Sequence, residues 1–426
     1  MLPHSALAAV AMIAAVAHAE PASFAEPKAL PVIAGLPDPL LLQDRAPVKT
    51  KDDWLVKRAP ELRRMFQHYE YGALPPPVKV VAEVVREDKA ALGGKATLRE
   101  ITLSLERPEG ARIHLLLVTP NAAKKPVPVF LGLNFGGNHT LLADPLIAVR
   151  PGWKGKNGEP LEQSRGSASD SWALDQSIDR GYAVATFWNG DVVPDEKNAA
   201  EAVLRKLRSG ESADRRPADT ATIAAWAWCL HRALDFLVTD PMLDARRVAV
   251  VGHSRNGKTA LFAAALDERF ALAIPSQAGC GGTAPCRLPN ALLNPPDGRL
   301  VHETVKRINT SFPHWFCGNF KAFNDGPARL PFDQHELIAL CAPRPVLLSN
   351  ATDDLWANPA GQFEMLRAAD PVYQLVAGDG LDAKAMPDVG HLLPSRLGYY
   401  IRLGKHAMTR GDWAVWLDYA DRWLRP

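Results

Sequence analysis

The sequence predicts an α/β fold, in which helices flank a mostly parallel central sheet as a three-layer sandwich. Two observations support this prediction. Strand-like and helix-like runs alternate through most of the chain, and the strand-like runs are short and rich in β-branched residues. Such runs suit strands buried on both faces. With 426 residues, 47% of them hydrophobic, the chain can bury one large core.

The chain divides into three predicted segments: residues 1–19 as a signal peptide, 20–75 as a proline-rich, helical extension, and 76–426 as the catalytic domain. The first segment is an apolar Ala/Val/Ile run that ends in a small-x-small pattern, which favours cleavage near Ala19. We therefore expect a secreted or periplasmic protein. The alternative is an uncleaved anchor, but the run is shorter than the roughly 20 residues that span a bilayer.

In the extension, DDWLVKRAPELRRMFQHYEYG is amphipathic and predicts a helix packed on the main body. An antiparallel meander follows, predicted from VKVVAEVVRE, TLREITLSLE and RIHLLLVTP. Further strands are predicted at PVPVFLGLNF, YAVATFWN, RVAVVGHS, LAIPSQ and RPVLLSN, with the helix DTATIAAWAWCLHRALDFLVTDP before the third of them. This order is that of an α/β-hydrolase fold.

The charge balance argues against strongly charged partners. The 49 basic and 47 acidic residues leave a net charge of +2, which does not favour nucleic acid or an anionic membrane. We expect a monomer with a neutral or locally recognised substrate. The five cysteines are too few for a disulfide scaffold, although Cys280 and Cys286 are spaced for a loop bridge. The sequence leaves that pairing open.

The run VAVVGHSRNGKTALFAAAL places Ser254 in a glycine-flanked turn between a buried strand and a helix. This context predicts a nucleophile elbow, the alternative being a serine that caps the helix. The second glycine of G-x-S-x-G lies one place late, at Gly257. We expect Asn256 to take its place, because asparagine tolerates unusual backbone angles.

A serine nucleophile needs a histidine base that a carboxylate holds in its tautomer. His406 follows the strand-like GYYIR and precedes the helix-like DWAVWLDYADRWL, which favours it over His391. Asp353 and Asp354 follow RPVLLSN, and we expect only one of them to point inward. The sequence shows no metal-ligand spacing, and ester hydrolysis by such a triad needs no cofactor.

The charge that develops on the substrate oxygen needs hydrogen-bond donors. The backbone N–H of Arg255 is the expected first donor, and its guanidinium can reach the same oxygen as a charged clamp. Gly136 and Gly137 in LNFGGN offer a second wall, or form only a tight loop. An arginine beside the nucleophile points to an anionic or strongly polarised substrate.

Several motifs together carry a family resemblance: LNFGGNHT, GHSRNGK, QAGCGGTA, ETVKRINTSFPHWF, DDLWANP and GYYIRLGKH. From about residue 134 to the C-terminus the chain resembles the bacterial glucuronoyl esterases, carbohydrate esterase family 15. The resemblance implies cleavage of the ester that joins a 4-O-methyl-glucuronic acid branch of xylan to a lignin alcohol. Glucuronoxylan and lignin-derived uronate esters are therefore the expected partners.

The resemblance also implies residue roles. Ser254 would attack the uronoyl carbonyl, His406 would act as base and then acid, and Arg255 would stabilise the oxyanion. The sugar site would be formed by Lys258, Glu303 and Trp356, with His314 and Trp315 as weaker candidates. Each has a structural alternative: a solvated lysine, a carboxylate at a helix N-terminus, or a core tryptophan.

The chain departs from the family at the catalytic acid. Many members carry glutamate in E-S-G-x-G-G, where this chain has Gln277, and glutamine cannot stabilise an imidazolium with a negative charge. Some bacterial relatives use an aspartate in D-x-W-A-D-P, which Asp354 matches, with Asp353 as the second choice. We expect the near-isosteric Gln277→Glu to be tolerated. The segment at residues 284–300 also looks longer than the family's usual connection.

Two alternative functions remain open from the sequence. One is a serine esterase of the same fold with an acetyl or feruloyl preference. The other is a non-catalytic carbohydrate-binding relative, which the missing glutamate would favour.

Overall fold

The computed structural model describes residues 24–150, 152–153, 155, 160–208, 216–288 and 300–425. The predicted signal peptide and residues 289–299 of the long connection lie outside this range. Within the described ranges, nine strands form one sheet. The strands are β1 (Val80–Ala91), β2 (Ala96–Leu105), β3 (Arg112–Pro120), β4 (Val127–Asn134), β5 (Ala183–Trp188), β6 (Leu243–His253), β7 (Phe270–Ser276), β8 (Val346–Ala351) and β9 (Leu397–Arg402).

The strand order is β1-β2-β3-β5-β4-β6-β7-β8-β9. The pairs β1–β2, β2–β3 and β3–β5 are antiparallel, and the six strands from β5 to β9 in this order pair in parallel. The predicted antiparallel meander that leads into a parallel sheet is therefore confirmed. Because parallel strands end at one edge, the loops after β6, β7, β8 and β9 lie side by side.

Helices cover both faces of this sheet. The α-helices are α1 (Lys51–Asp53), α2 (Ala59–Phe66), α3 (Leu161–Ser164), α4 (Ser169–Trp172), α5 (Leu174–Asp179), α6 (Lys197–Leu207), α7 (Thr222–Leu237), α8 (Arg255–Leu266), α9 (Val305–Ser311), α10 (Gln334–Ala339), α11 (Pro359–Ala377) and α12 (Arg410–Leu424). Successive residues of β4 enter different cores: Leu131 belongs to one cluster and Phe130 to the other. The central strands are thus buried on both faces, and the α/β-hydrolase fold class is confirmed.

The N-terminal extension packs on the sheet domain, as its amphipathic pattern predicts. A helical stretch runs from 51 to 71, with π-helical turns at Trp54–Arg58 and Gln67–Tyr71. Buried Arg58 forms an ion pair with buried Glu336 at 2.6 Å. Nothing in the described part of the chain is a helix of the length and apolarity that crossing a membrane requires.

All five cysteines are buried thiols. The sulfur atoms of Cys280 and Cys286 lie 4.0 Å apart, so the loop bridge that the sequence left open is not formed in the structure.

Candidate active site

Ser254 occupies a sharp turn between β6 and α8. Its backbone angles are φ 58° and ψ −125°, a conformation that residues with a Cβ rarely adopt. A Cβ on Gly252 would overlap the backbone of Asn256, and one on Gly257 would lie 2.9 Å from the Ser276 oxygen. Strand and helix can therefore approach closely only because both positions are glycine.

The expected role of Asn256 was wrong. Asn256 lies within α8 and has no positive φ, so no unusual backbone angle is required of it. Its side chain instead donates to the Leu133 oxygen at 3.0 Å. This bond fastens the elbow to the carboxyl end of β4.

His406 and Asp354 meet at the edge where β8 and β9 end. His406 Nδ1 lies 2.7 Å from Asp354 Oδ2, and the Asp354 side chain is only 2% exposed. Asp353 is exposed and accepts a hydrogen bond from Thr352. His391 is exposed in the loop before β9 and takes no part in this pair. The geometry therefore selects Asp354 and His406 as partners.

His253, the residue before the nucleophile, packs against this pair. Its ring centroid lies 4.4 Å from that of His406. Burial lowers the pKa of His253 well below its usual range, and the nearby charges of His406, Arg402 and Arg255 lower it further. A neutral His253 can support the His406 ring without opposing a positive charge on it.

A cavity of about 570 Å³ opens beside Ser254. Ser254, Arg255 and His406 share its wall with residues from two other segments, 134–140 and 167–172. The remaining lining residues are Asn134, Phe135, Gly136, Thr140, Ser167, Ala168, Ser171, Trp172, His253, Ala407 and Met408. A reacting group bound here would contact both the serine and the histidine.

Asp195, which the sequence did not indicate, holds the Arg255 guanidinium. Arg255 Nη1 donates to Asp195 Oδ2, and the same guanidinium lies 4.6 Å from the centre of the Trp315 ring. Asp195 Oδ1 accepts from His314 Nε2 at 3.0 Å and from Trp315 Nε1 at 2.8 Å. His314 and Trp315 are thus buried supports of Asp195 in this structure.

The groups that bind Asp195 keep its carboxyl group ionised. Burial opposes its ionisation, but the hydrogen bond from His314 and the charge of Arg255 outweigh burial and lower the pKa of Asp195. A carboxylate that stays ionised can fix the direction of the guanidinium.

The glycine loop after β4 contributes less backbone to the site than expected. The Gly137 N–H already donates to Asn134 Oδ1 at 2.7 Å. Gly136 lines the cavity, whereas Gly137 does not. The backbone N–H of Arg255 lies in the first turn of α8, where helical N–H groups have no partner within the helix.

Lys258, one turn after the nucleophile, is buried with a side-chain exposure of 3%. Its ammonium donates to the backbone oxygens of Ala278 at 2.6 Å and Cys280 at 2.5 Å. The third bond goes to Glu303 Oε2 at 2.8 Å. An ammonium has three hydrogens, so these acceptors engage all of them.

Replacing Lys258 with methionine is expected to destabilise the fold as well as any ligand site. The change leaves the buried Glu303 carboxylate without its cation, and breaking a buried ion pair costs about 3–5 kcal/mol. Urea denaturation of the two proteins measures the loss in the free energy of unfolding. A loss below about 1 kcal/mol would contradict the structural role, and Lys306→Met, at an exposed ion pair, is the control.

Glu303 also connects Lys258 to Trp356. Its second oxygen, Oε1, accepts from Trp356 Nε1 at 2.9 Å. The Arg307 guanidinium lies over the Trp356 ring at 4.3 Å from its centre. The structure thus brings together the three residues assigned to the sugar site, in a cluster that shares no residue with the lining of the cavity.

Within the described residues, no group of three or more histidine, cysteine or acidic side chains is arranged to hold a metal ion. The chemistry available at the edge of the sheet is that of a serine, a histidine–aspartate pair and an arginine. On an α/β-hydrolase fold these are the groups that an ester hydrolase of the serine class uses.

Comparisons with known proteins identify the family. The model of the glucuronyl esterase family of fungi matches residues 173–377. The carbohydrate esterase MZ0003, from an unknown prokaryotic organism, is 42% identical over 394 residues, which cover 91% of this chain and 89% of the relative. This chain belongs to carbohydrate esterase family 15, the glucuronoyl esterases.

Two further relatives agree. The structure of a glucuronoyl esterase from Solibacter usitatus is 36% identical with a TM-score of 0.83, and the match covers 92% of this chain and 99% of that one. The 4-O-methyl-glucuronoyl methylesterase of Cerrena unicolor is 30% identical over 343 residues, covering 80% of this chain and 62% of the relative. The resemblance drawn from the sequence motifs is confirmed.

Proposed function

We propose that this chain hydrolyses esters of glucuronic acid and 4-O-methyl-glucuronic acid, such as those that join glucuronoxylan to lignin. Membership of the glucuronoyl esterase family supports uronate esters as the substrate class. The observation that carries the chemistry is the 2.7 Å contact between His406 and Asp354 beside a serine in the elbow conformation. No cofactor is needed for this reaction.

In the first half-reaction, His406 takes the proton of the Ser254 hydroxyl as the oxygen attacks the uronoyl carbonyl. Asp354 holds the imidazole by Nδ1 and stabilises its positive charge. The oxyanion is stabilised by the Arg255 N–H and guanidinium. His406 then protonates the departing alcohol, which leaves an acyl-enzyme on Ser254.

In the second half-reaction, water attacks the acyl-enzyme. His406 takes a proton from the water and returns it to the Ser254 oxygen as the uronic acid leaves. The serine and the neutral imidazole are thereby restored.

The two sides of the ester are assigned to two regions. The departing alcohol must face His406, which protonates it, and His406 lines the cavity with Ala407 and Met408. We therefore place the alcohol in the cavity. We assign the uronic acid to the side of Lys258, Glu303 and Trp356 because the family resemblance implies a sugar site there.

The cavity suits an alcohol with a sizeable apolar part. Aromatic and aliphatic side chains form much of its wall. Three of its neutral polar side chains are already hydrogen-bonded to protein: Asn134, Thr140 and Ser167.

The proposal is tested by hydrolysis of benzyl glucuronate, with an acetyl ester of a neutral sugar as the control. Turnover of the uronate ester alone is the expected result. Preference for the acetyl or a feruloyl ester would move the function to a carbohydrate esterase of another specificity. Turnover of none of these esters, together with sugar binding, would favour the non-catalytic alternative.

Ala168→Phe tests the position of the alcohol. The added phenyl ring would occupy space that the bound benzyl group needs. It is expected to lower kcat/KM for benzyl glucuronate at least about tenfold more than for methyl glucuronate, since a single methylene in an apolar pocket can change kcat/KM by about 10–200-fold. Ala360→Phe, at an exposed position of α11, is the matched control. An equal loss on both esters would contradict the assignment.

We also propose that the protein is exported and acts as a monomer. The N-terminal sequence supports export. N-terminal sequencing of protein from the native culture medium or periplasm, and its mass in solution, test these two points.

A further inference from the structure

The loop that carries His406 is bonded to a side chain from a neighbouring strand end. Gln277 directly follows β7, and its Nε2 donates to the Ala407 oxygen at 2.8 Å. The Ala407 N–H donates to Gln277 Oε1 at 3.1 Å. Both ends of one carboxamide thus bind both backbone groups of the residue next to the histidine.

The backbone of Gln277 adopts an unusual conformation. Its φ is 49°, in the left-handed region that disfavours residues with a Cβ. Its N–H donates to the Ser349 oxygen at 2.9 Å, and the residue is 1% exposed. A strained and buried residue outside the reacting set is a reason to look for a functional constraint.

The His406 loop is exposed and is held by hydrogen bonds on both sides of the histidine. The side chain of His406 is 39% exposed, and Leu403 in the same loop is 76% exposed. Besides Gln277, Arg402 anchors Ala407, since its Nη2 donates to the Ala407 oxygen at 2.6 Å. Asp354 binds the imidazole itself, and the Gly404 N–H donates to Thr352 Oγ1 at 3.2 Å. Gln277 and Arg402 fix the residue that directly follows the histidine.

We propose that Gln277 is a positioning residue that fixes His406 over Ser254 by pairing with the backbone of Ala407. Gln277 acts through the loop and touches neither the substrate nor the imidazole. This role rests on the proposed function only in requiring that His406 acts as the base. It does not depend on which acyl group is hydrolysed.

The role requires an amide, which changes the expectation drawn from the sequence for Gln277→Glu. A carboxylate can accept from the Ala407 N–H, but its other oxygen would face the Ala407 oxygen with no hydrogen to donate. A carboxylate oxygen and the Ala407 oxygen, both hydrogen-bond acceptors, would then face each other at a buried position. Similar size alone does not make the change tolerable.

The test compares Gln277→Glu and Gln277→Met with the wild type on benzyl glucuronate and on 4-nitrophenyl acetate. A displacement of about 1 Å in a catalytic group can cost 10²-fold. We therefore expect kcat to fall about 10²-fold for Gln277→Glu and less for Gln277→Met, on every ester that the wild type hydrolyses. KM should change less than threefold, because the residue does not contact the substrate.

Gln67→Glu is the matched control. Gln67 also uses both ends of its carboxamide on backbone, donating to the Arg63 oxygen at 3.1 Å and accepting from the Leu74 N–H at 3.0 Å, but it lies in the N-terminal extension. A loss of melting temperature with unchanged kcat is expected there. If both Gln277 variants keep wild-type kcat, or if KM rises as much as kcat falls, the positioning role is wrong.

The double variant Gln277→Glu with Asp354→Ala tests whether a carboxylate at position 277 can bind His406 directly. We expect it to be no more active than Asp354→Ala alone, because the side chain at 277 binds backbone and not the imidazole. A gain of tenfold or more would show that a carboxylate here reaches His406, and would overturn the proposal. If the wild type hydrolyses only the acetate, the proposed substrate class fails while the same comparison on the acetate still decides the role of Gln277.

Discussion

Ser254→Ala is expected to lower kcat for benzyl glucuronate by about 10⁶-fold, the size of effect seen when the nucleophile of a serine triad is removed. Without the hydroxyl no acyl-enzyme forms, and any residual rate comes from water attack on a bound ester. Steady-state kinetics at high enzyme concentration measures this loss.

The control is Ser177→Ala, at a buried serine in α5 away from the site. It should leave kcat within twofold of the wild type. A residual activity above about 1% in Ser254→Ala would mean that another group attacks the ester. Ser254→Gly offers a second check, because glycine accepts φ 58° without strain and should unfold at higher denaturant concentration than the alanine variant.

Asp354→Ala is expected to lower kcat by about 10⁴-fold with little change in KM. The variant removes the carboxylate that holds His406 Nδ1, so the imidazole loses both its tautomer and the charge that stabilises its protonated form. The same kinetic comparison, on the same ester, measures the effect.

Asp353→Ala is the neighbouring control, because that side chain is exposed and bonded to Thr352. It should retain most of the activity. If instead Asp353→Ala is inactive and Asp354→Ala is active, the choice of the acid is wrong.

The sequence predicted the parts of the site that depend on local pattern. The nucleophile turn could be recognised because a buried strand, two glycines and a helix follow one another without a gap around Ser254. His406 could be placed because it stands between a strand-like and a helix-like run. In each case the residues that define the feature are adjacent in the chain.

Features that depend on contacts between distant loops could not be predicted in this way. Asp195 reaches Arg255 across 60 residues, and Arg307 covers Trp356 from another helix. The burial of Lys258 could not be predicted either, since a lysine on a helix is usually solvated and its place is explained by Glu303 and by the carbonyls after β7. No local sequence pattern around Arg255, Trp356 or Lys258 indicates which distant residue each of them contacts.

The hydrogen bonds of Gln277 also limit which substitutions this site tolerates. A glutamate at 277 would oppose the Ala407 oxygen, and loss of Asp354 would leave His406 without its carboxylate. The amide at the end of β7 and the acid at the end of β8 thus have separate tasks, and in this chain a carboxylate at one place does not replace the carboxylate at the other.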